Sequence, residues 1–168
     1  NDSEITNSVT DWTKSYGISY NLDINPDKNG HSIVFSNCSK LHETLDRLKL
    51  SNTYAHNKFI PSNYKLAPLY IRWAIIQGCF DTDGYVDSRG HCSYTTISKQ
   101  LAEDIQWILR SLGFKSTVTS KIPTYAHNNE KKQGQLAYTV NAIGNNTKNL
   151  FRLTRKRDRC KDGINGGD

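Results

Sequence analysis

The sequence contains no methionine, an initiator included, and only 4 prolines among its 168 residues. A chain of this kind reads as a fragment or a processed piece. It has no apolar run near the length that crosses a bilayer and no secretory leader, so neither a membrane partner nor export is expected. Its 4 cysteines, Cys38, Cys79, Cys92 and Cys160, form no Cys-x-x-Cys pair and no zinc-ligand spacing with the 5 histidines. They read as reduced thiols of an intracellular protein, and the Asn-x-Ser/Thr matches at Asn37 and Asn145 as incidental. No Ser/His/Asp arrangement and no phosphate-binding glycine loop is visible. Asp81-x-Asp83 begins like a calcium loop, but Val86 stands where that loop needs glycine.

At this length the chain suits one domain, or two small halves sharing a core, burying roughly 68–70% of the unfolded surface. Lys and Arg number 22 against 16 Asp and Glu, a net charge of +6 that fits a nucleic-acid partner without demanding one.

Residues 66–84 organise the rest. Leu69, Trp73, Ile76 and Phe80 make a bulky stripe at helical spacing, suited to a core. Ala67, Ile71, Ala74 and Gly78 repeat that spacing with mostly small side chains, so a second helix is expected to pack closely there. Pro68 suits the first turn. The helix runs into Asp81 and Asp83 and stops at Gly84. Acids at a helix C-terminus oppose its dipole by about 0.3–1 kcal/mol each when exposed. A bound cation would offset both; a solvated turn leading into a hairpin is the alternative.

Before this stretch, residues 3–16 read as a helix with Ile5, Val9, Trp12 and Tyr16 on one face and Gly17 as the stop. Residues 18–25 and 31–37 read as strands around a turn, 39–48 as a helix, and 51–65 as a connector. After it, residues 85–87 and 91–97 flank Ser88-Arg89-Gly90 as a hairpin. Ser98 caps a helix running to Leu112, with Gly113 as the stop. Strands are expected at 115–125 and 136–143, joined by a polar loop at 128–134. A last helix is expected from Asn146 into the basic run 152–161, read as a solvated face with phosphate contact as the alternative. Ile5, Val9, Trp12, Tyr16 and Gly17 match Leu101, Ile105, Ile108, Leu112 and Gly113 at a constant offset of 96, an internal repeat. The second copy is preceded by the central helix and its hairpin, the first by nothing. The expectation is a two-repeat protein whose first repeat lacks those opening elements.

Ile76–Gly84 (Ile-Gln-Gly-Cys-Phe-Asp-Thr-Asp-Gly) resembles the signature of the LAGLIDADG, or dodecapeptide, homing endonucleases, matching at Gly78, Asp81, Asp83 and Gly84. His56–Pro61 (His-Asn-Lys-Phe-Ile-Pro) resembles the lysine-bearing block that precedes the second signature in intein-encoded members, and Tyr94–Ile105 and Leu109–Phe114 are also similar to that family. The resemblance implies an α/β (α+β) fold, a pseudo-twofold repeat of helix, hairpin, helix, hairpin, helix. Residues 1–50 would be a partial first repeat, 51–65 a connector, 66–161 the second repeat and 162–168 a tail. Its implied activity is site-specific, metal-dependent hydrolysis of duplex DNA with Mg2+, or Mn2+ in its place; a non-cleaving DNA- or RNA-binding module is the alternative. Splicing, if any, lies outside these residues, which show neither an opening nucleophile nor a terminal His-Asn pair.

On the same resemblance Asp83 is the catalytic metal ligand, and Gly84 either lends its carbonyl or turns the chain. Asp81 and Gly78 are structural at the signature helix. Lys58 and Lys121 are catalytic candidates. Lys121 has Asn25 as its counterpart, so the repeats are not chemically equivalent there. Tyr85, Arg89, Tyr94, Lys115 and Lys121 are candidate DNA contacts. A complete site would need the missing part of the first repeat or a second copy.

Overall fold

A computed structural model describes residues 3–25, 30–127 and 130–161. The chain divides between Ser51 and Asn52 into two compact units.

The first unit is a helix, α1 (Ser3–Ser15), an antiparallel ribbon of β1 (Ser19–Asn25) and β2 (Gly30–Ser36), and a helix, α2 (Ser39–Arg47). α1 ends where Gly17 adopts φ +64°, which lets the Ile18 N–H reach the Thr13 carbonyl at 2.9 Å and the Gly17 N–H that of Lys14 at 3.2 Å. The expected core face of α1 is only half covered. Trp12 is 41% and Tyr16 70% exposed, and the residues α1 buries are Thr10 and Thr13. A helix, a two-stranded ribbon and a short second helix offer too little apolar surface to enclose two large rings. Trp12 instead rests against Tyr16 and Phe35 at 5.3 and 6.5 Å between centroids.

The second unit holds the enclosed core. Its elements are α3 (Ser62–Lys65), α4 (Leu69–Asp83), β3 (Gly84–Val86), β4 (Cys92–Thr96), α5 (Lys99–Ser111), β5 (Lys115–Lys121), β6 (Thr124–His127), β7 (Glu130–Gln133), β8 (Ala137–Ile143), a 3-10 turn (Thr147–Leu150) and α6 (Thr154–Arg157). An antiparallel sheet of order β3-β4-β8-β5 carries α4 and α5 against one face. Strand alternation assigns the faces. Val86, Cys92, Tyr94, Val140 and Ala142 meet Ile76 and Phe80 of α4 and Leu101, Ile105, Ile108 and Leu109 of α5. Odd-numbered residues point the other way, and Tyr85, Thr95, Lys115, Thr117, Thr119 and Lys121 are exposed there. Ser98 caps α5, its Oγ accepting the Leu101 N–H at 3.1 Å.

The internal repeat reappears residue for residue. Ser3–Ser15 recurs as Lys99–Ser111 and Ser19–Asn25 as Lys115–Lys121, each 96 positions on. Gly30–Ser36 recurs as Ala137–Ile143, 107 positions on, because the ribbon β6–β7 is inserted between the paired strands. The register agrees: Ser19 faces Ser36 as Lys115 faces Ile143. The helix stop agrees too, with Gly113 at φ +91° and the Phe114 N–H on the Leu109 carbonyl at 3.0 Å.

Three expectations are corrected. The strand read over 115–125 ends at Lys121, and part of the loop read at 128–134 is strand β7, paired with β6. The helix read from Asn146 to 161 is broken into the 3-10 turn, an extended stretch at 151–153 and the single turn α6. Phe151 and Leu153 are both buried, and the Arg152 and Leu153 N–H groups donate to Asp81 rather than to a helical carbonyl. The reading of 162–168 lies outside the described residues, as does the turn at 26–29.

Candidate active site

The last turn of α4 is held by charges from the far end of the chain. Asp81 is buried, and its carboxylate accepts the Arg152 N–H at 2.9 Å, the Leu153 N–H at 3.2 Å and the Arg152 Nε–H at 3.0 Å. Beneath it the buried Lys156 ammonium donates to the carbonyls of Phe80 at 2.9 Å, Asp81 at 2.7 Å, Thr82 at 3.3 Å and Gly84 at 2.8 Å. The cation that offsets the helix dipole is therefore part of the protein. Lys156 lies inside the basic run expected to be a solvated face, yet it is buried. Its signal is the spacing of Leu153, Lys156 and Cys160, which places a lysine on an apolar helical stripe.

Asp83 itself is exposed. It lines a concavity of about 340 Å³ with Ala55, Lys58, Tyr94, Thr95 and Thr96. The connector bearing Lys58 is pinned to α5: the Ser98 hydroxyl donates to the Lys58 carbonyl at 2.6 Å, and the Ile60 N–H donates to the buried Asp104 carboxylate at 2.8 Å. Lys65 pairs with the same carboxylate. Asp83 also acts on its neighbours. Burial first, and then the Asp83 charge, push the Cys79 thiol up to about 11, while Lys58 opposes them. Burial above all, then the neighbouring Cys79 and Asp83 charges, pushes the Tyr94 phenol upward, so both groups stay protonated.

The remaining candidates fall in three places. Lys115 and Lys121 stand exposed at the two ends of β5 on the odd-numbered face, and Lys121 does not line the Asp83 concavity. Tyr85 and Arg89 border a second concavity of about 430 Å³ on that face with Ser93, Thr117, Asn141 and Lys161. There Asp87 organises the β3–β4 turn, accepting the Arg89 and His91 N–H groups at 2.9 Å each, which with the His91 ring holds its carboxyl down to about 2. Arg89 shares its charge with Asp87 at 3.5 Å.

Tyr94 is a correction. It is only 5% exposed on the helix-facing side, with Phe80 at 6.0 Å between centroids, because its position in β4 has the parity of Cys92 and not of Ser93. Gly84 is a second correction as a metal ligand: its buried carbonyl already receives the Lys156 ammonium, whose charge opposes a metal at that oxygen. Gly84 turns the chain. A Cβ there would come within 2.5 Å of the Phe80 carbonyl, so no larger residue fits this close crossing. Gly78 stands on the small-residue face of α4, with nothing within 4 Å of where a Cβ would be. Leu66, Leu69 and Tyr70 are 75%, 54% and 73% exposed, so the stripe expected to bury Leu69 does so only from Trp73 onward. Among the described residues no three His, Cys, Asp or Glu side chains gather into a metal site.

Helices on one face of an antiparallel sheet, in a chain that repeats its own helix–strand pattern, define a mixed α/β repeat protein with an acid-and-lysine cleft at the end of α4. Residues 71–153 match the family profile described as the LAGLIDADG-like domain. The fold is that of the LAGLIDADG homing endonucleases, and the chain carries that domain. Among solved structures it is similar to mesophilic variants of the homing endonuclease I-DmoI, with TM-score 0.51 and 14% identity over 90% of this chain and 61% of that one. Two I-DmoI variants bound to target DNA in the presence of Mn or Mg give TM-score 0.53 and 15% identity over 92% of this chain and 66% and 68% of theirs. At such identity the likeness establishes the fold. Among curated proteins, the replicative DNA helicase DnaB of Mycobacterium intracellulare is 28% identical over 100 residues, 60% of this chain and 16% of the helicase.

Proposed function

We propose that the chain is the DNA-cutting part of a site-specific LAGLIDADG homing endonuclease that hydrolyses phosphodiester bonds in duplex DNA with Mg2+, Mn2+ serving in its place. The observation that carries the reading is the meeting of Asp83 and Lys58 in one concavity. Asp83 is an exposed hard-oxygen donor, and Mg2+ is commonly held by one or two carboxylates with phosphate oxygens and water. The donor fits, as one ligand of such a site. When bound, the metal stabilises the attacking and leaving oxygens of the phosphate. Lys58 offsets charge that grows on the same phosphate. The odd-numbered sheet face suits a major groove about 12 Å wide, with Thr95, Thr117, Thr119 and Tyr85 toward bases and Lys115, Lys121 and Arg89 toward phosphates.

One carboxylate does not serve two strands. The open face of α4 over Tyr70, Ala74 and Gly78, with Leu66 exposed just before it, supports pairing with a second helix of the same kind, from another part of the protein or a second copy, which would bring a second carboxylate. We also read the protein as intein-encoded. A match confined to 16% of a helicase is what an inserted element leaves. Such a role places it inside the cell.

The test is cleavage of a target duplex with Mg2+ by the protein paired with its second helix. Asp83→Asn is expected to abolish cutting while DNA affinity stays nearly unchanged. Cleavage at the unmodified rate excludes Asp83 as a ligand. The second reading, a module that holds DNA or RNA without cutting, draws on the absence of a three-ligand cluster among the described residues; binding by the unmodified protein without any cleavage would favour it.

A further inference from the structure

Asp83 is exposed at the end of a helix, where nothing in its own element fixes the carboxylate. β4 supplies what α4 lacks. The pairing of β3 with β4 sets Tyr94 opposite Gly84, the residue that follows Asp83. The Tyr94 ring is clamped: it is tilted against Phe80, and Phe80 in turn meets Phe151 edge-on at 5.6 Å between centroids. Tyr94 lines the concavity that Lys58 and Asp83 also line, so the phenol and the Asp83 carboxylate share one small pocket. A rigid ring with a single polar atom is well suited to holding an otherwise rotatable carboxylate.

We propose that Tyr94 is a positioning residue, its hydroxyl donating to one oxygen of Asp83 so that the other is presented to a divalent cation. The inference rests on Asp83 being a metal ligand, and adds which residue aims it. Hydrogen-bond partners behind a metal ligand typically change metal affinity by about 10–100-fold when removed. Tyr94→Phe deletes the hydroxyl and keeps the ring, so the contacts with Phe80 remain.

The probe is Mn2+ alone, titrated into the isotope-labelled chain while amide line broadening is followed at Gly84 and Ala55. The same spectra report whether the core around Ile105 and Val140 stays folded. Unmodified protein is expected to broaden first at Gly84, Asp83→Asn not to broaden there, and Tyr94→Phe to need about tenfold more Mn2+. If Tyr94→Phe broadens at the same Mn2+ concentration while Asp83→Asn does not broaden, the role of Tyr94 is overturned and the metal reading stands. Should Asp83→Asn broaden like the unmodified chain, Asp83 is no ligand, and the proposal falls with that reading.

Discussion

Lys156 shows how much one side chain can do for a helix end. Four carbonyls converge on its ammonium, and they belong to the residues flanking Asp83. Lys156→Met keeps the aliphatic stem and removes the charge. Hydrogen bonds from a charged donor contribute about 1.5–3 kcal/mol, and breaking a buried charge arrangement costs about 3–5 kcal/mol. The variant is expected to lose about 3 kcal/mol in urea unfolding, with the last turn of α4 fraying first in hydrogen exchange. A loss under about 0.5 kcal/mol, the range of ordinary surface substitutions, would mean the ammonium stabilises nothing. Asp81 and Asp83 illustrate the opposite lesson. Two positions apart in one motif, they differ in burial, and that difference separates a carboxylate that ties residues 152–153 to the helix from one that faces solvent.

Among the elements, the segment 154–161 is a strap across the sheet edge. Lys156 anchors it to α4, the Arg159 guanidinium donates to the Val86 carbonyl at 2.7 Å, and the Cys160 thiol lies 3.6 Å from that of Cys92 in β4. Thiol–disulfide exchange with oxidised glutathione is expected to join these two: one thiolate displaces a glutathione thiol, and the second displaces the other. Peptide mapping should recover a Cys92–Cys160 cross-link, with Cys38 and Cys79 still open to alkylation after unfolding. Closing so long a loop stabilises by about 4 kcal/mol at most in the chain-entropy account. Recovery of only mixed glutathione adducts would show that the strap does not hold the thiols in register. The ribbon β6–β7 lies between β5 and β8, whose counterparts β1 and β2 have no such ribbon between them among the described residues, and all its described residues are exposed.

For the whole molecule, the odd-numbered sheet face and the single carboxylate lead to a joint expectation. Affinity for duplex DNA should fall with salt, each neutralised phosphate contributing a log–log slope of about −0.9. A salt-independent affinity would exclude phosphate contact. Residues 1–168 as a monomer are expected to nick at best, and double-strand cutting is expected only when a second α4-like helix joins, from an extended chain or a second copy. Efficient double-strand cutting by the monomer would show that one carboxylate suffices. Comparing nicked and linear product across protein concentration, with the association state measured in parallel, separates these outcomes.

Local chemistry made much of this legible from the chain alone. Gly17 and Gly113 mark helix ends because a left-handed residue is needed there, and Ser98 marks a helix start because its hydroxyl can accept an orphan N–H. The offset of 96 was visible because repeated periodicity needs no knowledge of contacts. The alternation of Cys92 and Tyr94 with Ser93 and Thr95 even carried the correct face of Tyr94. What tertiary structure alone decided depends on partners distant in the chain. The Lys156 ammonium reaches carbonyls 72–76 residues away, Lys58 is held by Ser98 some 40 residues on, and Gly84 loses its carbonyl to a residue from the last turn. No periodicity encodes such pairings, because they arise when separate elements are brought over the same end of α4.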